Sequence, residues 1–301
     1  METMLVTGAS GLLGSSVCKA AASQYKVYGT FLNHPVNFSG VETFKVDLTN
    51  NDSISFIEKK KPDVIIHCAA MTNIDACEER PDEAHKQNVV VTRNVAEAAK
   101  RSGAYLVHIS TESVFDGQRE QYKEEDKPNP LNVYARTKLE AEGIALAVPG
   151  AAVARTTIYG WNVINKQSLS EWILAKLSAG ESVPGFTDAI FSPILTDDLA
   201  KILLKLCDVR PSGILHISGC EACSKFTFAQ ELAVIYGFDK SRVKEAHIAG
   251  ASFRAKRPFN VSLDVSKAEQ ILGIKFQNIR EGLERFKKSE PSRASKASVV
   301  K

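Results

Sequence analysis

A short apolar run at residues 4–7 passes without a spacer into Gly8-Ala9-Ser10-Gly11-Leu12-Leu13-Gly14, and this junction constrains the chain more than any other stretch. A strand ending on glycine can turn at once, because glycine takes a left-handed backbone at no steric cost. In this pattern the first glycine makes the turn and the second lets backbone approach a pyrophosphate. The third lets the following helix pack against the strand. That helix is expected over residues 12–24, with the unpaired N–H groups of its first turn facing the phosphates. The spacing is G-x-x-G-x-x-G rather than G-x-G-x-x-G, yet a strand before and a helix after mark it as a dinucleotide-binding turn.

Strand and helix then alternate along the chain. Residues 26–31 (KVYGTF) read as a second strand, after which come Leu32, Asn33, His34 and Pro35, with no acid. An acid there commonly holds the ribose hydroxyls of NAD, and its absence removes repulsion of a 2′-phosphate. NADP(H) is therefore favoured over NAD(H), although no arginine stands ready to clamp the phosphate and Asn33 and His34 also read as plain turn residues. Residues 43–47 form a third strand ending at Asp47-Leu48, and a helix is expected over 52–61. Residues 63–70 (DVIIHCAA) are almost wholly apolar, as in a parallel strand covered on both faces. They end on Ala69 and Ala70, small enough for a flat cofactor to lie against. A long amphipathic helix over 81–102 carries Asn88, and 104–111 is the next strand. The result is an α/β, Rossmann-type doubly wound parallel sheet, whose ligands bind beyond the strand C-termini. Gly8, Asp47, Ala69, Ser110 and Thr111 all fall there and are expected to line one crevice.

Residues 128–142 (PNPLNVYARTKLEAE) open a further helix at Asn132 and put Tyr134 and Lys138 one turn apart on one face. A cation beside a phenol favours the phenolate and lowers its pKa, giving a group able to donate or accept a proton during carbonyl reduction. Alone, Tyr-x-x-x-Lys equally describes a half-buried aromatic with a solvated lysine; Thr111 and the glycine turn, on the same crevice, favour the chemical reading.

Residues 151–160 are expected as one strand, 168–180 as a helix stopped by Gly180, and 196–208 as a helix capped by Thr196 or Asp197. Residues 213–219 read as a last buried strand. The division expected is a dinucleotide-binding domain over 1–160, rejoined at about 189–220, and a smaller C-terminal α/β substrate-binding lobe made of 161–188 and 221–288. Residues 289–301 are polar and read as a disordered tail. His67 and His108 sit in apolar strands and read as buried and neutral. Val89, Val90, Val91 and Val95 read as core, and 123–127 (KEEDK) as a solvated loop. Cys220 and Cys223 form a lone C-x-x-C, and without a second pair no metal site is expected.

Composition closes off other classes. In 301 residues the formal net charge is +3, too small to make nucleic acid or membrane the main partner. No apolar run reaches the ~18 residues of a membrane helix, and residue 4 already begins a strand, leaving no room for a signal peptide. Six scattered cysteines suit a reducing cytoplasm.

The glycine turn, Ser110-Thr111, and Tyr134 with Lys138 resemble the extended short-chain dehydrogenase/reductase superfamily. HCAAMTNIDACE (67–78), STESVFDG (110–117), PLNVYARTKLEAE (130–142) and RPFNVSLDVSK (257–267) are together similar to the dTDP-4-dehydrorhamnose reductase family. The resemblance implies NADPH-dependent reduction of the 4-keto group of a nucleotide-activated deoxysugar, in dTDP-L-rhamnose biosynthesis. Tyr134 would protonate the nascent oxygen. Lys138 would hold the nicotinamide ribose and depress the tyrosine pKa, and Thr111 would orient the carbonyl. Gly8, Gly11 and Leu12 would cradle the pyrophosphate, with Asp47 and Leu48 beside the adenine and Ala69 and Ala70 flanking ribose and phosphate. Ser10, Leu13, Thr30, Asn33, Asn88 and Ser110 complete the implied cofactor contacts. Thr72, Ser113, Ile158 and Arg257 are the implied substrate contacts, Arg257 meeting the nucleotide.

Two departures bear on the substrate. The family commonly reads S-T-D-Y-V-F-D-G, where Glu112 and Ser113 replace Asp-Tyr. It commonly reads R-T-S-W-V-Y-G, where this strand is one residue shorter and Thr157 or Ile158 stands at the tryptophan. The regulatory β subunit of methionine adenosyltransferase, a relative with bound NADP, also lacks that tryptophan. A non-catalytic regulatory subunit with a methionine adenosyltransferase partner is thus the alternative, and another nucleotide-sugar reductase or epimerase a further one. A homodimer stays open.

Overall fold

The computed structural model describes residues 1–291. Six strands come first: β1 (Thr3–Thr7), β2 (Lys26–Phe31), β3 (Val41–Lys45), β4 (Val64–His67), β5 (Tyr105–Thr111) and β6 (Ala152–Thr156). Helices α1 (Leu12–Ala21), α2 (Asp52–Lys60), α3 (Ile74–Glu79), α4 (Pro81–His85), α5 (Val91–Ser102) and α6 (Val133–Leu146) run between them. The chain then leaves the sheet through β7 (Ile158–Tyr159), α7 (Leu169–Ser178), β8 (Val183–Phe186), β9 (Ile190–Phe191) and β10 (Ile194–Leu195). Helix α8 (Thr196–Val209) brings it back as β11 (Gly213–His216). The chain ends through β12 (Cys223–Ser224), α9 (Lys225–Tyr236), β13 (Val243–Ala246), α10 (Ser266–Leu272) and α11 (Ile279–Lys288).

The main sheet has strand order β11-β6-β5-β4-β1-β2-β3 and every pairing in it is parallel. The order reverses between β1 and β4, the switch point where such sheets open a crevice beyond their strand ends. All four residues of β4 and all five of β6 are buried, so their apolar runs are covered on both sides. One core packs α1 and α8 on one face, the other packs α5 with Ile57 and Val148 on the opposite face. A third core gathers around Phe228, Phe286, Tyr159, Ile173 and Leu177, and Val114, Phe115 and Tyr122 join it. Each fully buried aliphatic side chain there contributes about 1.5–3 kcal/mol.

Local sequence explains the helix ends. Asn132 accepts the Ala135 N–H at 2.9 Å and caps α6, and Ser168 with Glu171 forms a capping box on α7. Gly103, Gly237 and Gly273 stop α5, α9 and α10 in the left-handed conformation.

Four details differ from expectation. The strand expected over 151–160 breaks at Thr157: β6 stays in the main sheet, while Ile158 pairs with Ile194 outside it. The capping of α8 differs too. Its cap position is Leu195, with no side-chain cap, because Thr196 and Asp197 instead meet the Ser16 hydroxyl of α1 at 3.2 and 2.7 Å. Residues 265–276, expected in the smaller lobe, carry Val265, Ala268, Leu272 and Phe276 into the core beside α8. The helix expected over 81–102 contains a π turn, Lys86–Val90. In the loop 123–127, Glu124 is tied down by accepting the His216 amide at 2.9 Å. Val89, Val91 and Val95 are buried as expected. The tail from 292 lies outside the described residues.

Candidate active site

Gly8 turns at φ 68°, and a Cβ there would stand 2.9 Å from the Ala69 backbone, so β1 and β4 end in contact only because position 8 lacks a side chain. A Cβ on Gly14 would lie 2.1 Å from the Gly8 carbonyl, which is why α1 can start so close to the strand. A cleft of about 210 Å³ opens there, lined by Gly8, Ser10, Gly11, Thr30, Asn33, Asp47, Leu48, Ala69 and Ala70. Nine of the expected cofactor residues therefore share one space; Leu12 and Leu13 begin α1 behind it. Helix α1 starts on Gly11 with no side-chain cap and no acid in its first turn, leaving donors for an anion. Thr30 Oγ1 is buried without a hydrogen-bond partner among the described residues. Asp47 turns its carboxylate onto Thr49 (2.9 Å to N, 2.7 Å to Oγ1), whose donors hold its pKa below the usual range. A glycine cradle, a free helix N-terminus and an unpartnered hydroxyl fit a dinucleotide.

The residue that fixes this cleft, Thr7, was not singled out in the sequence. Its oxygen accepts the Cys68 and Ala69 amides at 3.1 and 3.2 Å, so its one proton goes to His67 Nδ1 at 2.7 Å. His67 Nε2 then donates to Thr92 at 3.0 Å. The imidazole is thus neutral, in keeping with a pKa driven by burial to about 3. Asn88, expected at the cofactor, is buried in the π turn. It bonds Met71 N and O at 2.7 and 3.2 Å and Thr137 Oγ1 at 2.9 Å, so it braces the β4 loop against α6.

At the end of β5, Thr111 lies against the Tyr134 phenol. Lys138, one turn on, donates to the Ile109 carbonyl at 2.7 Å and meets His108 Nε2 at 3.1 Å. Burial lowers Lys138 to about 8, opposed by Glu142. His108 lies well below its ordinary value, through burial and then Lys138, which leaves its ring neutral. The expectation that Lys138 draws the phenol down is not met by the protein's own groups. Burial, and then the Glu112 carboxylate, push Tyr134 well up. Ser110 is also turned away from any ligand: its hydroxyl donates to Glu142 at 2.5 Å, and Glu142 pairs with the buried Arg155 at 2.7 Å. Ser110, Glu142 and Arg155 thus lock α6 to β5 and β6, and only Thr111 of the strand-end pair faces the phenol.

The expected substrate contacts are more scattered. Ser113 is buried and gives its amide to Thr111 Oγ1 at 3.2 Å. Thr72 is exposed and accepts Lys166 Nζ at 3.4 Å, while Ile158 packs on the core beside α8. Arg257 pairs with Asp75 at 2.9 Å and sits over Phe253, so it first ties its own segment to α3. The 257–267 motif also docks on the 110–117 motif: a Cβ on Gly117 would come within 2.6 Å of Phe259 N. A larger cavity of about 710 Å³, bounded by His34, Trp161, Lys166, Tyr236 and Phe238, has no counterpart in the sequence reading. Trp161 does not replace the missing tryptophan, since it stacks on Phe286 with centroids 4.3 Å apart. Among the described residues all six cysteines are free and no group of His, Cys, Asp or Glu could hold a metal ion. No helix there is long and apolar enough to cross a membrane.

Known proteins fit this geometry. The chain is 30% identical over 285 residues to the probable low-salt glycan biosynthesis reductase Agl14 of Haloferax volcanii, covering 92% of this chain and 95% of that one. It is 34% identical over 285 residues to methionine adenosyltransferase 2 subunit beta of Bos taurus, covering 90% and 82%. The dTDP-4-dehydrorhamnose reductase of Bacillus anthracis in complex with NADP superposes with a TM-score of 0.85 at 28% identity, covering 96% and 99%. The family model described as the RmlD substrate binding domain matches residues 1–290, and the chain belongs to that family.

Proposed function

We propose that this protein is an NADPH-dependent reductase of the 4-keto group of a nucleotide-activated deoxysugar, with dTDP-4-dehydrorhamnose the first substrate to test. The observation that carries the reading is the convergence of Thr111, Tyr134 and Lys138 at the end of β5, on the edge of the sheet where the glycine cleft opens. Gly8, Ser10, Gly11, Asn33, Leu48 and Ala69 line the cleft and would hold the dinucleotide. Bound NADPH supplies a hydride. As the substrate oxygen gains charge, Tyr134, which its surroundings keep protonated, gives it a proton. Thr111 orients that oxygen, and Lys138, anchored on the Ile109 carbonyl, holds a cation one turn away. The lack of an acid after β2 supports NADP over NAD, and residues around Arg257 and Ser113 would take the sugar nucleotide.

A second reading, a cofactor-binding regulatory subunit, is favoured by the Bos taurus relative. The assay that separates them is NADPH oxidation with a dTDP-4-keto-6-deoxy sugar, where turnover is expected. No turnover across a panel of keto-sugar nucleotides, together with tight binding to a methionine adenosyltransferase, would overturn the reductase.

A further inference from the structure

Helix α6 carries Tyr134 in its first turn, where a helix has N–H groups with no partner further along its own ladder. The two that flank the tyrosine are both held. The Val133 N–H donates to Glu78 Oε2 of α3 at 2.8 Å, and the Ala135 N–H donates to Asn132 Oδ1 at 2.9 Å. The other end of the Asn132 amide, Nδ2, donates to the Lys256 carbonyl at 3.0 Å. Asn132 is 1% exposed. With a donor facing its oxygen and an acceptor facing its nitrogen, the amide can point only one way.

The 254–257 segment is tied to α3 as well. Asp75 accepts the Ala255 amide at 3.1 Å and the Arg257 guanidinium at 2.9 Å, and Glu79 pairs with Arg254 at 2.7 Å. The start of α6, helix α3 and 254–257 therefore form a triangle with a hydrogen bond or ion pair along every side. Acids of α3 make two of those sides, and Asn132 makes the third. Serine, aspartate and asparagine cap a helix about equally well, but only asparagine pairs the acceptor with a separate N–H donor on one rigid group. At position 132 that donor is what reaches Lys256, and capping alone does not require it.

We propose that Asn132 is a positioning residue that registers the Tyr134 turn of α6 on the 254–257 segment, so that one amide sets the proton donor against the stretch carrying Arg257. The inference rests on the reading of Tyr134 as the acid of a reductase and of Arg257 as a nucleotide contact. The carbonyl that Asn132 holds is one residue from that guanidinium. A sugar nucleotide gripped by Arg257 is thereby placed relative to Tyr134. The placement matters, because a shift of about 1 Å between reacting groups lowers a rate by about 10²-fold. Glu78 steadies the same turn from the α3 side, and the Tyr134 carbonyl accepts the Thr137 hydroxyl at 2.8 Å from within the helix.

The test is Asn132→Ser in the full chain. Serine still accepts the Ala135 N–H, so α6 stays capped, but its side chain is too short to reach the Lys256 carbonyl as well. The kcat for reduction of a dTDP-4-keto-6-deoxy sugar should fall by about 10- to 10²-fold, while NADPH affinity and the midpoint of urea unfolding stay near the wild type. Matched losses in all three would mean that Asn132 only holds the fold, and would overturn the proposal. Glu78→Ala should lower kcat in the same way, and Glu78→Gln, which keeps an oxygen for the Val133 N–H, should recover most of it. A second readout needs no substrate: 3,5-difluorotyrosine incorporated at position 134 and followed by fluorine NMR should shift and broaden in Asn132→Ser. An unchanged resonance, or an unchanged kcat where the wild type turns over, overturns the proposal. A wild type without turnover counts against the reductase reading alone, and the resonance still decides the role of Asn132.

Discussion

The glycine cleft and the R-P-F-N segment are the two stretches with the most specific sequence patterns, and they are used in opposite ways. At the cleft, the pattern builds a surface: Gly8 and Gly14 are required because backbone from Ala69 and Gly8 occupies the space a side chain would need. In the R-P-F-N segment, the pattern builds a joint. Arg257 is paired with Asp75, Asn260 accepts from Ser262, and Asp264 accepts from Ser266 N at 2.8 Å. A motif can therefore mark a ligand site or the seam that positions one. The difference is whether its polar atoms remain unpaired or close on one another.

That contrast can be broken experimentally. Tyr134→Phe removes the acid but leaves the cleft, and should cut turnover by roughly 10²–10⁴-fold with cofactor affinity unchanged, read by NADPH oxidation and by titration calorimetry. Retained turnover would remove the assignment. The Glu142–Arg155 lock has both side chains at most 3% exposed, so Arg155→Ala strands a buried carboxylate and should cost about 3–5 kcal/mol in denaturant unfolding. A loss of turnover without a loss of stability would mean the pair serves the reaction directly. Gly14→Ala presses a methyl on the Gly8 carbonyl and should cost about 1–3 kcal/mol, with dinucleotide affinity falling in parallel. Arg257→Lys keeps the charge but loses the guanidinium that reaches Asp75 and the Ala255 carbonyl through separate nitrogens; a rise in KM with little change in kcat is expected if the seam also meets the nucleotide.

A smaller, graded effect concerns acid. His67 and His216 are held at about 3 and His108 well below its ordinary value, all by burial first. Between about 3 and 6.5 the unfolded chain binds protons at these sites that the folded chain does not. Stability should therefore be full above 6.5 and fall on acidification by about 1 kcal/mol per pH unit for each histidine. Urea unfolding at stepped pH reads the slope, and His67→Gln should reduce it; an unchanged slope would mean His67 is not neutral in the fold.

Much of the main sheet was legible. Alternating apolar runs, a glycine turn and Asn132 ahead of α6 are local signals, set by the backbone's need to turn, cap and bury. They led to the parallel sheet, the cleft residues and the face shared by Tyr134 and Lys138. Three kinds of fact had no local signal. Asn88 and Ser110 carry the right chemistry at the right strand or helix position, but partners distant in sequence, Met71 and Glu142, claim their polar atoms. Thr7 gave no cue because its work is to hold the end of another strand. Thr157 looked like a continuing strand until Ile194 drew the next residue out of the sheet.

By itself the sequence determined where backbone must turn and which residue types reach the crevice, because those demands are met within a few residues of each other. Only the tertiary structure decided the state of Tyr134. Spacing put a lysine beside it and argued for a lowered pKa, whereas folding enclosed it and brought Glu112 near, which raises it. A proton's free energy depends on every charge and donor within several ångströms, and those come from parts of the chain that sequence spacing does not relate.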